Sequence, residues 1–261
     1  MRRNRIIAGI HFLKSDAVPK SFSAAFRGLY CIRVGGIITS EVCFMKQTKT
    51  RRLVQTALLT SLVILLAFVP YIGYIRVPFL AIQATTVHIP VIVGSILLGP
   101  VWGGFLGFVF GLTSLINNTV NPGITSFCFS PLVAVGENMG GSPLALIICF
   151  VPRILCGVVP FYISKLISGA HPEKLGRRRL SFLAAGVCGS LTNTILVMSM
   201  IFIFFGHAYA RAKGIAYEAV IGVVMSVVGI NGTIEAVIAA LISTAACAAV
   251  LKLGTLNRKK R

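Results

Sequence analysis

Four side chains lie where a polar group costs most. Arg153, Asn193, Asn231 and Glu235 fall within stretches otherwise apolar enough to span a bilayer. An arginine or an acid near the centre of a spanning helix costs roughly 2.5–3.5 kcal/mol on insertion. Such groups are retained to pair with one another or to bind something. Asn231 and Glu235 are four residues apart, which places them on one helical face. Two uses are open. Arg153 and Glu235 form an ion pair while the asparagines bond across helices, or all four line a water-accessible pocket that opens outward and reads a polar small molecule. There are more polar groups than one pair needs, which favours the pocket, and the two uses can coexist.

The connection 70–85 supports a pocket. It reads Pro70-Tyr71-Ile72-Gly73-Tyr74-Ile75-Arg76-Val77-Pro78-Phe79 and then Gln83. An aromatic, proline-rich loop on the outer face can close over a ligand and stack on it. Equally, Tyr71 and Tyr74 fit an interfacial aromatic belt. His88, just before Pro90, reads as a residue satisfied at a helix end, with a ligand contact as the alternative.

These residues need helices to hold them at one depth. The chain is 56% hydrophobic and 12% charged, against roughly 25% charged for soluble domains. The apolar runs predict an all-α membrane protein, a bundle of six transmembrane helices at 52–69, 86–99, 101–116, 143–167, 181–205 and 226–252. The second and third are short and turn at Gly99-Pro100. The stretch 117–141, with Asn117, Asn118 and Asn121-Pro122-Gly123, is too broken to span and reads as a partly helical, partly re-entrant connection. With the N-terminus inside, the inner segments hold Lys46, Lys49, Arg51 and Arg52, then Lys174 and Arg177 to Arg179, then Lys252 and Arg258 to Arg261. The outer segments hold Arg76, Arg211 and Lys213. That asymmetry predicts cytoplasmic N- and C-termini.

Residues 1–44 are basic and lack a long apolar span. Met45-Lys-Gln-Thr-Lys-Thr-Arg-Arg then leads directly into the first span. We read 1–44 as a non-native or disordered N-terminal extension, and 45–261 as the membrane domain. An Arg-rich, acid-poor targeting segment is the competing reading. N-terminal sequencing of the native protein separates the two.

Gly99, Gly103, Gly107 and Gly111 recur every four residues, a smooth stripe that lets a neighbouring backbone approach. An intramolecular contact is the simpler use of it. Ala57 and Ser61 form a small-x-x-x-small pair on the first span. The seven cysteines lack a C-x-x-C pair and read as small buried hydrophobes.

Several functions are disfavoured. The formal net charge of +19 collects at helix ends and termini, which suits topology and anionic lipid and not nucleic acid. No phosphate loop or H-E-x-x-H occurs, and after residue 44 the acids are Glu137, Glu173, Glu218 and Glu235. No cofactor or metal is expected, and no enzyme activity. No internal inverted repeat marks a carrier, although a stand-alone secondary transporter or channel-like protein is the alternative reading.

The ordered series Thr85-Thr86-Val87-His88-Ile89-Pro90-Val91, Leu98-Gly99-Pro100, Phe110-Gly111-Leu112-Thr113-Ser114, Pro152-Arg153-Ile154, Leu191-Thr192-Asn193-Thr194 and Asn231-Gly232-Thr233-Ile234-Glu235 resembles the substrate-binding (S) component of an energy-coupling factor (ECF) transporter. The resemblance covers about 48–253. It implies a vitamin-binding subunit in the bacterial plasma membrane that works with a transmembrane coupling protein and two cytoplasmic ATPases. The ligand would be held in the outer half by the last three helices and the first outer loop. By the same analogy the component topples in the membrane to release its vitamin inside. The family's Ala-x-x-x-Ala contact with the coupling protein corresponds to Ala57-x-x-x-Ser61. Among the family's substrates are riboflavin, pantothenate, folate, biotin and thiamine. Asn193 and Asn231 resemble polar positions of the riboflavin and pantothenate branches. Arg153 suits a carboxylate, as in pantothenate or folate. The single tryptophan, Trp102, is on the inner side, away from any flavin ring.

Overall fold

The computed structural model describes residues 49–69, 74–77, 82–134, 141–169 and 175–259, with side chains at 49–69, 85–134, 141–169 and 176–252. The expected extension 1–44 lies outside the described residues.

The architecture is helical, with one small antiparallel hairpin added. Helix α1, Lys49–Phe68, buries only Thr56, Val63 and Ala67. The rest of its surface, including Leu53, Leu58, Ala57 and Ser61, faces outward. Strands β1, Tyr74–Val77, and β2, Ile82–Thr85, follow and pair with Tyr74 opposite Thr85 and Arg76 opposite Gln83. The expected outer loop is therefore a β-ribbon.

Helix α2, His88–Leu98, has 11 residues, about 16 Å at 1.5 Å per residue and too short to cross a bilayer alone. It is almost wholly buried. Val87 and Val91 pack with Val63, Leu106 and Phe110. The opposite side packs Ile89, Ile92 and Ile96 against Cys156, Phe182 and Ala239. A helix apolar all round is stable only when enclosed in this way. It ends at Gly99, whose φ of 102° is open to glycine and strained for other residues. Pro100 then starts helix α3, where its missing N–H is harmless.

Helix α3 runs Pro100–Val120, longer than the predicted 101–116. Asn117 and Asn118 do not break it. Asn118 Nδ2 donates to Ser114 O at 2.8 Å, and its Oδ1 accepts from Ser126 Oγ at 2.8 Å. Thr119 and Ser130 hydroxyls meet at 2.8 Å. These bonds fasten a 3-10 turn, Ser126–Cys128, onto the end of α3. The expected broken connection is thus partly an extension of α3 and partly this turn, whose Phe127 and Cys128 are buried.

Helix α4, Leu144–Ser168, contains Pro152 and Pro160. The glycine stripe of α3 lies directly on it. A β-carbon at Gly103 would collide with the Gly157 carbonyl oxygen, and one at Gly107 with the Arg153 carbonyl oxygen. The stripe is an intramolecular seam. Helix α5, Leu175–Lys213, has 39 residues, about 58 Å and well beyond a hydrocarbon core of about 30 Å. Helix α6, Tyr217–Ser226, passes through a π turn, Val227–Asn231, into helix α7, Gly232–Lys259. Among the described residues five helices are long and apolar enough to cross a membrane, counting 217–252 as one. The short α2 falls in the expected span 86–99 and is not one of these five.

Four of the five described cysteines are buried, and all five are free thiols. Cys149 Sγ donates to Gly111 O at 3.2 Å across the seam.

Candidate functional site

Arg153, Asn193 and Glu235 all face the interior, with 7%, 8% and 6% of their surface exposed, and His88 has 1%. None points into lipid. Glu235, in the first turn of α7, is fully engaged. Its Oε1 accepts from the Thr85 backbone N at 2.6 Å and from Thr85 Oγ1 at 2.9 Å. Its Oε2 accepts from Thr194 Oγ1 at 3.0 Å. One carboxylate thus joins β2, α5 and α7. Thr85 Oγ1 also lies 3.5 Å from His88 Nδ1. Because Thr194 follows Asn193 on α5, this contact fixes Asn193 and Glu235 at one level of the bundle.

Arg153 is on α4 and is held differently. Pro152 has no N–H, so the Ile148 carbonyl four residues earlier loses its helical donor. Arg153 Nη1 donates to that oxygen at 2.7 Å. The guanidinium carbon lies 4.9 Å from the Phe129 ring centre and 5.7 Å from that of Phe110. Aromatic faces attract a cation at this range. Arg153 and Glu235 make no ion pair. Each has other partners, and that alternative is set aside. Phe110, beneath the guanidinium, packs with Val87 and Val91 at the start of α2.

Four buried polar atoms in this part of the bundle have no hydrogen-bond partner: Arg153 Nε, His88 Nε2, Asn193 Oδ1 and Ser190 Oγ. Buried polar atoms are normally satisfied, and leaving one unmet costs about 1–3 kcal/mol. Three helices therefore present unused capacity: Arg153 Nε donates, Asn193 Oδ1 accepts, the Ser190 hydroxyl can do either, and His88 Nε2 follows its tautomer. This set can take a small ligand that has an anionic group and hydrogen-bonding groups of its own.

The other expected site residues are less central. Asn231 is half-buried at the end of the π turn and makes no bond to the Glu235 group. A spacing of four therefore does not give Asn231 the environment of Glu235. Tyr74 and Gln83 are placed along the hairpin backbone, and their side chains lie outside the described residues. Ala57 and Ser61 are exposed on α1, and Ser61 Oγ donates to its own helix at Leu58 O, 2.9 Å. Sequence reasoning missed the roles of Thr85 and Thr194, although both stand beside residues it selected. It also missed Phe129, because nothing in Ser126-Phe127-Cys128-Phe129 marks a ring folded back under an arginine.

A family model described as "ECF transporter, substrate-specific component" matches residues 51–246. The chain belongs to this family. The S component also resembles a "Pantothenic acid transporter PanT" of Lactococcus lactis subsp. cremoris, 36% identical over 171 residues, covering 66% of this chain and 79% of the relative. It is 28% identical over 210 residues to a "Pantothenate transporter PanT" of Leuconostoc mesenteroides, covering 79% of this chain and 95% of that protein. The S component is accordingly a multi-pass plasma-membrane subunit that binds a vitamin or related small nutrient for an ECF-type importer. Its role is transport and not catalysis, together with ECF transmembrane and ATPase partners in general terms.

Proposed function

We propose that this S component captures pantothenate from the outside, with Arg153 receiving the carboxylate. The observation that supports this reading is the unequal state of the two buried charges. Glu235 has three donors from the protein, and Arg153 has no carboxylate. A buried guanidinium without an anion is costly, and a bound carboxylate relieves that cost. Both relatives described above carry pantothenate in their names. In this reading Asn193, Asn231 and His88 meet the polar body of the vitamin. Glu235 serves the site by holding Thr85 and Thr194, and the hairpin bearing Tyr74 and Gln83 covers the outer side.

The remaining arrangement follows the same reading. The six helices leave both termini cytoplasmic. The exposed Ala57 and Ser61 face of α1 meets the transmembrane coupling protein, which links to two cytoplasmic ATPases. Titration calorimetry on the purified protein tests the substrate. Pantothenate should bind at least about 100-fold more tightly than panthenol, which replaces the carboxylate by a neutral alcohol. Equal affinities, or no binding of pantothenate, would sink the assignment. For the partner surface, Ala57→Leu with Ser61→Leu should abolish copurification of the ATPases while pantothenate binding survives.

A further inference from the structure

His88 is buried at the junction of β2 and α2, and both of its ring nitrogens carry information. Thr85 Oγ1 has a single hydrogen, and that hydrogen points at Glu235 Oε1, 2.9 Å away. Toward His88 Nδ1, 3.5 Å away, the hydroxyl has only lone pairs to offer. A bare Nδ1 there would set lone pair against lone pair, so Nδ1 carries the proton. In a neutral imidazole the other nitrogen, Nε2, is then an acceptor. Nε2 is buried and has no partner.

We infer that the Glu235–Thr85–His88 chain sets the His88 tautomer, so that Nε2 accepts a hydrogen bond from a hydroxyl or amide N–H of the bound nutrient. Three consequences follow. Thr85 and Glu235 are positioning residues, acting on the ligand through the histidine. His88 becomes a specificity residue. It repels a carboxylate or carbonyl oxygen placed at Nε2 and favours a donor. Together with Arg153 it selects a molecule with an anion at one end and a hydroxyl or amide N–H away from it. This rests on the pantothenate reading only for the identity of the probe, since that vitamin carries a carboxylate, one amide and two hydroxyls.

The test has two arms. Nitrogen NMR of the ligand-free full chain with 15N-labelled histidine, assigned by loss of a signal in His88→Gln, reads the tautomer directly. The expected result is a protonated Nδ1 and an unprotonated Nε2. Thr85→Val should give a mixture of tautomers, and Thr85→Ser should keep the wild-type form. A general loss of packing would not distinguish those two variants in this way. A wild-type Nε2–H or an imidazolium would overturn the inference, even if pantothenate proves to be the substrate. The second arm compares pantothenate with its two mono-deoxy analogues and with the ester analogue in which an oxygen replaces the amide N–H. Wild type should bind one of them about 10-fold more weakly, and His88→Phe should bring that analogue within about twofold of pantothenate. Unchanged discrimination in His88→Phe would also overturn it. Should pantothenate fail to bind wild type, the substrate reading falls, and the nitrogen spectra still decide the tautomer.

Discussion

The two buried charges of this bundle have opposite surroundings. Glu235 is enclosed by an N–H and two hydroxyls from β2 and α5, so its demand is met by the protein. Arg153 touches one carbonyl and two aromatic faces, with Nε unused. Opposite charges buried in one bundle would ordinarily find each other, because pairing is the cheapest way to keep them in the membrane. Here the anion joins structural elements, and in the proposed reading the cation is kept for the nutrient. On that proposal the carboxylate organises the site, and the guanidinium selects what enters it.

The strongest way to break this contrast is to neutralise each charge in turn. Arg153→Gln should weaken pantothenate binding about 100-fold or more, the cost of removing one partner of a buried charge pair. It should also abolish the preference over panthenol, as titration calorimetry would show. Next in size is the seam beneath the arginine. Gly107→Val drives a side chain into the Arg153 carbonyl oxygen and should destabilise the bundle by about 1–3 kcal/mol, read as a lower melting temperature in detergent. Glu235→Gln removes the charge but keeps one acceptor oxygen. It should lower stability by about 1–2 kcal/mol and leave the preference for pantothenate over panthenol in place. A loss of that preference as complete as in Arg153→Gln would show that the carboxylate also reads the ligand's charge. The smallest effect is expected from Pro152→Ala. It returns an N–H to the Ile148 carbonyl and competes with Arg153 Nη1. The freed guanidinium should change pantothenate affinity only about fivefold, since exchanging one hydrogen bond for another nets about 1 kcal/mol.

Much of the helical frame was legible because insertion cost and hydropathy act locally. The turn at Gly99-Pro100, the glycine seam and the inward-facing polar residues each follow from a short window of sequence. Other features were not local. Asn117 and Asn118 look like a helix end, yet Asn118 bonds back to Ser114 and across to Ser126, and the helix runs on to Val120. The strands Tyr74–Val77 and Ile82–Thr85 have too few residues for an alternating pattern to show. Asn231 was given the environment of Glu235 from their spacing of four, yet it ends a π turn and stays half-buried while Glu235 is buried. The partner of Glu235 was the hardest to foresee. Charge alone suggests Arg153, while the fold brings up Thr85, 150 residues earlier in the chain. That distance is closed by the path of α2, a helix whose own sequence shows only that it must be enclosed.

Between α3 and α4 the main chains meet at Gly103 and Gly157 with no side chain interposed. Neither a lipid tail nor a water molecule has room to wedge them apart. A packing this tight resists separation of the two helices, and a bulky residue at either glycine would have to push the main chains apart.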